Sequence, residues 1–223
     1  MVFRRQFVAL AVASLLAVGP SHPAVTPLAI ITHAQDAHIG TADASIGSTI
    51  YEGDYLSTEA GGTLRVSATA ATLQLDAQSA VVIRRSSNSD AILIADLASG
   101  TLIFSARTGN IAVSADEALI RPAAPAATMA HIRVVNRKEL RVYTQRGILE
   151  FSYRGESEVL AEGQSYRILL DPSERDVASV SPTEADKKKS AHAHHAFLLI
   201  AIAAAAAIAI PLLIHYLESP DKP

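Results

Sequence analysis

From residue 39 to about residue 178 the chain alternates apolar and polar residues in short runs, and nowhere there does a helical period persist for more than two turns. Leu64, Val66 and Ala68 are spaced by two, and so are Leu73 with Leu75 and Val81 with Ile83. Side chains spaced by two share one face of an extended strand, so this pattern buries one face and wets the other. Strands are expected near 63–69, 71–76, 80–85, 91–96, 101–106, 110–114, 118–121, 131–136, 139–144, 148–153, 157–161 and 165–170. Gly61-Gly62, Ser86-Ser87-Asn88, Ser99-Gly100, Thr108-Gly109-Asn110, Gly147 and Gly155 fall between them. Breakers at that spacing predict an all-β fold, an antiparallel sandwich or β-roll of short strands. Pro122 and Pro125 mark a crossover between two halves, because proline cannot donate to a central ladder. There is also an internal echo. Gly100-Thr101-Leu102-Ile103-Phe104-Ser105 matches Gly147-Ile148-Leu149-Glu150-Phe151-Ser152, and Glu52-Gly53-Asp54 matches Glu162-Gly163-Gln164. Reuse of common turn residues would produce such an echo, and so would two related β-layers or a coil of stacked hairpins.

The two ends read differently from this body, and they carry much of the chain's 49% hydrophobic content. Arg4 and Arg5 precede the uncharged run Phe7 to Val18, which stops at Gly19-Pro20. A basic start followed by about twelve apolar residues is an export signal, too short to span a bilayer comfortably. Arg4-Arg5-Gln6-Phe7-Val8 also resembles the twin-arginine export signal, with Phe3 and Ala9 departing from its usual residues. Thr32-His33-Ala34 offers a cleavage site ahead of Gln35, with Ala24 and Ala29 as rivals. At the other end, 179–195 is a charged linker and 196–217 carries no Asp, Glu, Lys or Arg. A 22-residue helix is about 33 Å long and matches a hydrocarbon core of about 30 Å, so 196–217 is expected to be a transmembrane helix. The domain plan is therefore an export signal and Pro-rich cleavage region at 1–34, a β-domain at 35–178, the linker, the span, and a tail at 218–223.

Topology contains a conflict. Lys187, Lys188 and Lys189 lie before the span and only Lys222 after it, which by the positive-inside rule places the β-domain in the cytoplasm. The export signal places it outside. The signal is given precedence, since so short a tail has little charge to hold inside. The expectation is a single-pass inner-membrane protein with its β-domain in the periplasm and its lysines near anionic headgroups.

Within the body, Gly53-Asp54-Tyr55-Leu56-Ser57-Thr58 follows the pattern Gly-Asp-x-Ile/Leu-x-Thr. Gly53 is suited to a positive φ, and the Asp54 carboxylate to accepting backbone N–H groups in the turn. With the alternation through Leu73-Gln74-Leu75 to Ser79-Ala80-Val81-Val82-Ile83, this resembles the FecR domain, a bacterial periplasmic β-domain. The resemblance covers about residues 39 to 106 and extends loosely to about 170. It implies a non-catalytic domain that binds a protein partner in envelope sensing or signalling. In that family the domain senses a liganded outer-membrane transporter and relays its state to a sigma factor, through a cytoplasmic region ahead of a single span. This chain is expected to have only a signal there and its span at the other end, which departs from the arrangement the relay to a sigma factor normally needs and puts sigma-factor contact in doubt, while the β-domain keeps the resemblance. The turn residues Gly53, Asp54 and Thr58 are the site candidates, as structural or partner-binding positions. If they are structural, Gly53→Val should unfold the domain and Asp54→Ala should cost about 1 kcal/mol.

Other chemistry finds little footing. A net charge of −3 argues against a nucleic-acid surface. The absence of cysteine removes disulfides, thiol nucleophiles and thiolate zinc sites. No Gly-x-Ser-x-Gly elbow, phosphate-cradling loop or dinucleotide fingerprint occurs, and no cofactor is expected. Asp116-Glu117 sits at a turn, and His131 reads as a partly exposed strand residue. His192, His194 and His195 are weak metal candidates without a carboxylate or thiol to complete a site. Arg133, Arg137 and Arg141 fall on the solvated side of strands. The alternative function is an envelope scaffold or a polysaccharide- or peptidoglycan-binding module working through exposed strand edges or faces. An enzyme with a cryptic site ranks behind both and predicts a deep pocket with convergent, perturbed side chains.

Overall fold

A computed structural model describes residues 26–86, 93–173, 192–193 (backbone only) and 196–202. Every regular element among them is a strand, and no helix among them is long and apolar enough to cross a membrane. The strands are β1 (Ala29–Ile39), β2 (Ala42–Asp43), β3 (Thr49–Ile50), β4 (Tyr55–Ala68), β5 (Ala71–Leu75), β6 (Ala80–Arg85), β7 (Leu93–Ala106) and β8 (Ile111–Ala115). They continue as β9 (Ala118–Pro122), β10 (Thr128–Asn136), β11 (Glu139–Arg146), β12 (Leu149–Tyr153), β13 (Glu156–Leu160), β14 (Ser165–Leu170), β15 (His192–Ala193) and β16 (Phe197–Ile202).

All of them belong to one hydrogen-bonded sheet that folds over on itself with barrel-like closure. The fold turns on β4 and β7, each 14 residues long. The first parts of β4 and β7 pair with β6, and their later parts pair with β5. From β7 the first leaf runs on through β8, β9, β12 and β13, and the second through β10, β11, β14, β16 and β15. Leu56, Val81, Ala95, Val113, Ile120 and Phe151 from the first leaf join Val66, Leu73, Phe104, Ile132, Val142 and Ile168 from the second in one buried cluster. Contacts between the leaves seal it: Phe151 meets Phe197 edge to face with ring centroids 4.8 Å apart. The Tyr166 hydroxyl accepts from Ala161 N at 2.8 Å.

The long strands correct the expectation of short ones, and the physical reason lies in β7. Leu93, Ala95 and Leu97 point inward, then Leu102, Phe104 and Ala106, so the alternation slips by one residue between them. A register shift at Ala80/Val81 opposite Leu97 to Ser99 supplies that slip. A bulge of this kind bends a strand without ending it. Gly100 follows at φ 82°, where a Cβ would stand 2.3 Å from the Ser79 Oγ, so two expected strands are one bent strand. The pairing is antiparallel throughout except for β7 with β8, which is parallel. Pro122 ends β9, and the segment after it carries the chain from the first leaf to β10 in the second.

Strand pairing extends past both expected ends of the β-domain. The β-body begins at Ala29 rather than at residue 35, because Ala29 and Ile31 are buried and pair with Ala68 and Val66 of β4. Residues 197–202, at the start of the segment expected to form the transmembrane helix at 196–217, form a strand paired with β14 from Leu170↔Phe197 to Ser165↔Ile202. Alternation is hard to see in Phe-Leu-Leu-Ile-Ala-Ile because Phe197, Leu198 and Leu199 are all buried, as in a strand covered on both faces. Residues 203–217 and the export signal at 1–18 lie outside the described residues.

Candidate functional site

The Gly53 corner is a four-residue turn held at both ends. Gly53 has φ 91°; its N–H donates to Ile83 O at 2.8 Å, and Ile83 N donates to Asp54 O at 3.0 Å. The Asp54 Oδ2 accepts from Tyr51 N at 2.8 Å, and Asp54 N donates to Tyr51 O at 3.3 Å. Nothing lies within 4 Å of a Cβ built on Gly53, so a side chain there meets backbone strain but no clash. The cost of Gly53→Val therefore comes from backbone strain and not from a steric clash at Cβ. Tyr51 and Tyr55 flank the turn and are 39% and 44% exposed. The second member of the sequence echo repeats the same bonds. Gly163 N donates to Thr144 O at 2.7 Å, and Thr144 N to Gln164 O at 3.0 Å. Each leaf thus receives a strand, β4 or β14, from a Glu-Gly-polar corner pinned to the neighbouring strand.

Thr58 is not part of that corner. It is buried in β4, its hydroxyl donates to Asp76 O at 2.5 Å and accepts from Ser79 N at 3.0 Å, and so it staples β4 to the turn before β6. Gly53, Asp54 and Thr58 therefore do three separate local jobs. His192 lies in β15 and pairs with Leu199, while His194 and His195 lie outside the described residues. No group of three His, Asp or Glu among the described residues is placed to hold a metal ion. His131 is half-exposed on β10, 3.1 Å from the Gln145 amide and with its ring 5.8 Å from that of Tyr143.

Among the described residues three ionisable groups are displaced, and they stand on different parts of the sheet. His38 on β1 lies 2.9 Å from Glu59 and 3.1 Å from Asp43, and the bond to Glu59 raises its pKa. Glu139 on β11 receives both Nε and Nη2 of Arg167 at 2.9 Å, and Arg167 lowers its pKa against the opposing effect of burial. Tyr153 on β12 is raised by burial and then by Asp171, whose Oδ2 accepts its hydroxyl at 3.1 Å. Open clefts occur among the described residues. One of about 350 Å³ is bounded by Leu97, Ser99, Asp116, Val134 and Arg137. Another, about 400 Å³, is bounded by Glu117, Glu150, Tyr153, Arg154 and Glu156.

The leaves differ in their outer charges. On the first, Arg84 pairs with Asp96, and Arg121 with Glu150 at 3.0 Å. On the second, Arg133 of β10 stands opposite Arg141 of β11, which stands opposite Arg167 of β14. Glu139 is the carboxylate shared by Arg141 and Arg167. Alternation places Arg133 and Arg141 on a solvated side, but the row itself depends on register, which spacing within one strand does not reveal.

No family model matches this chain, and no curated protein matches it. Two crystal structures of a candidate anti-sigma factor from Parabacteroides distasonis are similar to it in part, with TM-scores of 0.44 and 0.42 at 12% and 13% identity. In both comparisons the overlap covers 52% of this chain and 54% of the other, about half of each.

Proposed function

We propose that this chain is a non-catalytic, membrane-anchored periplasmic domain of FecR type that binds a protein partner in envelope sensing or signalling. The observation that carries the reading is the corner at Gly53. The stretch that resembles the family's motif is also where two tyrosines flank a turn fixed by four hydrogen bonds. A rigid backbone lowers the entropic cost of docking, and tyrosine is enriched where protein interfaces concentrate their energy. The turn residues hold this platform and the tyrosines touch the partner. Sigma-factor contact is not part of the proposal.

The test is a photo-crosslinking residue at position 55 in the full chain, activated in native membranes. A defined protein adduct is expected, and it disappears when Tyr51 is changed to Ala. An adduct of the same identity from position 152, on the far part of the same leaf, overturns the assignment to the corner. Cell-wall fragments in place of a protein favour the scaffold reading.

A further inference from the structure

Like charges directly opposite one another across antiparallel strands destabilise a sheet, so a row of them is retained against a local cost. Arg133↔Arg141 and Arg141↔Arg167 form such a row across three adjacent strands. Arg141 and Arg167 are 58% and 43% exposed and share Glu139, while Arg133 has no carboxylate partner among the described residues. Strand register adds Arg65 and Arg146 to the same outer face, the latter opposite Met129. Beside Glu139, Asp76 accepts from the Gln74 amide there, and Glu162 accepts from Gly147 N next to Arg146. Among the described residues, these five arginines outnumber the three acids named beside them, although the chain as a whole is acidic.

We propose that this outer face of the second leaf docks on an anionic phospholipid surface, with Arg133, Arg141 and Arg167 over the headgroups. Three observations favour a bilayer over an acidic protein or polymer. The neighbouring cross-strand row is Ile103, His131, Tyr143, Ser165 and Ile202, so the basic residues alternate with isoleucine and tyrosine, the mixture that settles at a lipid–water boundary. Ile200 closes the arginine row opposite Arg167. Ile202, 43% exposed, ends β16 at the edge of this face, and from Ala203 to Leu217 the sequence has no Asp, Glu, Lys or Arg. The chain thus leaves this face directly into an apolar segment. The inference goes beyond the partner-binding function and uses a different leaf from the Gly53 corner.

The chain contains no cysteine, so a single introduced thiol reports one position. The full chain, carrying either His131→Cys or Ser152→Cys with a polarity-sensitive fluorophore, is mixed with phosphatidylcholine vesicles with and without 30% phosphatidylglycerol. A blue shift is expected at position 131, on the basic face, only with the anionic lipid, and none at position 152 on the other leaf. Arg133→Gln with Arg141→Gln should weaken the lipid-dependent shift about 30-fold, about 5-fold for each arginine. Raising the salt should weaken it as well. An equal shift with neutral vesicles, or equal shifts at both positions, overturns the proposal. So does an inert label with anionic vesicles that responds instead to polyglutamate or to an anionic polysaccharide, which assigns the face to that ligand.

Discussion

Two buried threonines show how the same side chain carries opposite meaning. The Thr58 hydroxyl is the acceptor for Ser79 N and a donor to Asp76 O, so Thr58→Val strands a buried backbone donor. That should lower stability by about 1–3 kcal/mol, read from the urea midpoint. Thr144 is fully buried and its Oγ1 has no partner, so Thr144→Val exchanges an unmet hydroxyl for a methyl group and should leave stability unchanged or raise it. The glycines divide in the same way. Gly53→Val meets only the strain of a positive φ, about 1–2 kcal/mol. Gly100→Ala adds a contact with the Ser79 Oγ and backbone, and should cost about 3 kcal/mol or more. Denaturation of the two variants side by side checks that order. The positive φ at Gly53 and the Asp54 bond were legible in Gly-Asp at a turn, as was the solvated side for Arg133 and Arg141. The role of Thr58 was not legible, because its partners lie 18 and 21 residues away in sequence.

At the scale of elements, alternation placed most strands of the body within a few residues, and it failed where the pattern was broken or hidden. β7 looked like two strands because its bulge reverses the alternation. The first part of β1, 29–34, falls in the expected cleavage region because Thr32-His33-Ala34 offers small residues before Gln35, while register shifts at Ile31/His33 and Gln35/Ala37 keep parts of the strand buried. That strand carries a prediction for the proposed export. Cleavage before Gln35 would remove Ala29 and Ile31, which are buried against β4, so the mature chain should begin upstream of Ala29, as cleavage after Ala24 would leave it. Mass spectrometry of the exported chain decides, and an N-terminus at Gln35 shows that the body forms without β1's first half. The tie between β11 and β14 carries another. Arg167 depresses the Glu139 pKa in the folded state, so this pair contributes stability above the carboxyl's ordinary value near 4.5. The contribution is lost as pH falls through the lower folded value. Glu139→Gln should therefore be less stable than the parent at pH 7 and nearly as stable well below pH 4.5, measured by urea denaturation across that range.

At the scale of the molecule, β16 and the expected transmembrane helix compete for the same residues. A helix over 196–217 is about 33 Å long, but with 197–202 held in the sheet the remaining apolar stretch, 203–217, reaches only about 22 Å as a helix, short of a hydrocarbon core of about 30 Å. Composition cannot decide between the two, since Phe197, Leu198 and Leu199 suit a buried strand and a lipid-facing helix equally well. The strand is favoured by contacts that lie far away in sequence: Phe197 on Phe151, and Ala196 N donating to Glu156 at 3.2 Å. Withdrawing β16 into a bilayer would uncover Phe151 and leave β14 without its outer neighbour. The absence of native cysteine makes the choice measurable in membranes. Ser165 and Ile202 are register partners, and residues directly opposite in an antiparallel pair have Cα atoms about 4.5–5.5 Å apart, within reach of a disulfide. Ser165→Cys with Ile202→Cys should therefore oxidise to an internal bridge in the full chain added to membranes, seen as a mobility shift reversed by reductant. Ser165→Cys with Tyr55→Cys, set on different leaves, should not. Failure of the first pair to bridge while both thiols remain reactive places 197–202 outside the sheet, and the apolar segment then spans at full length.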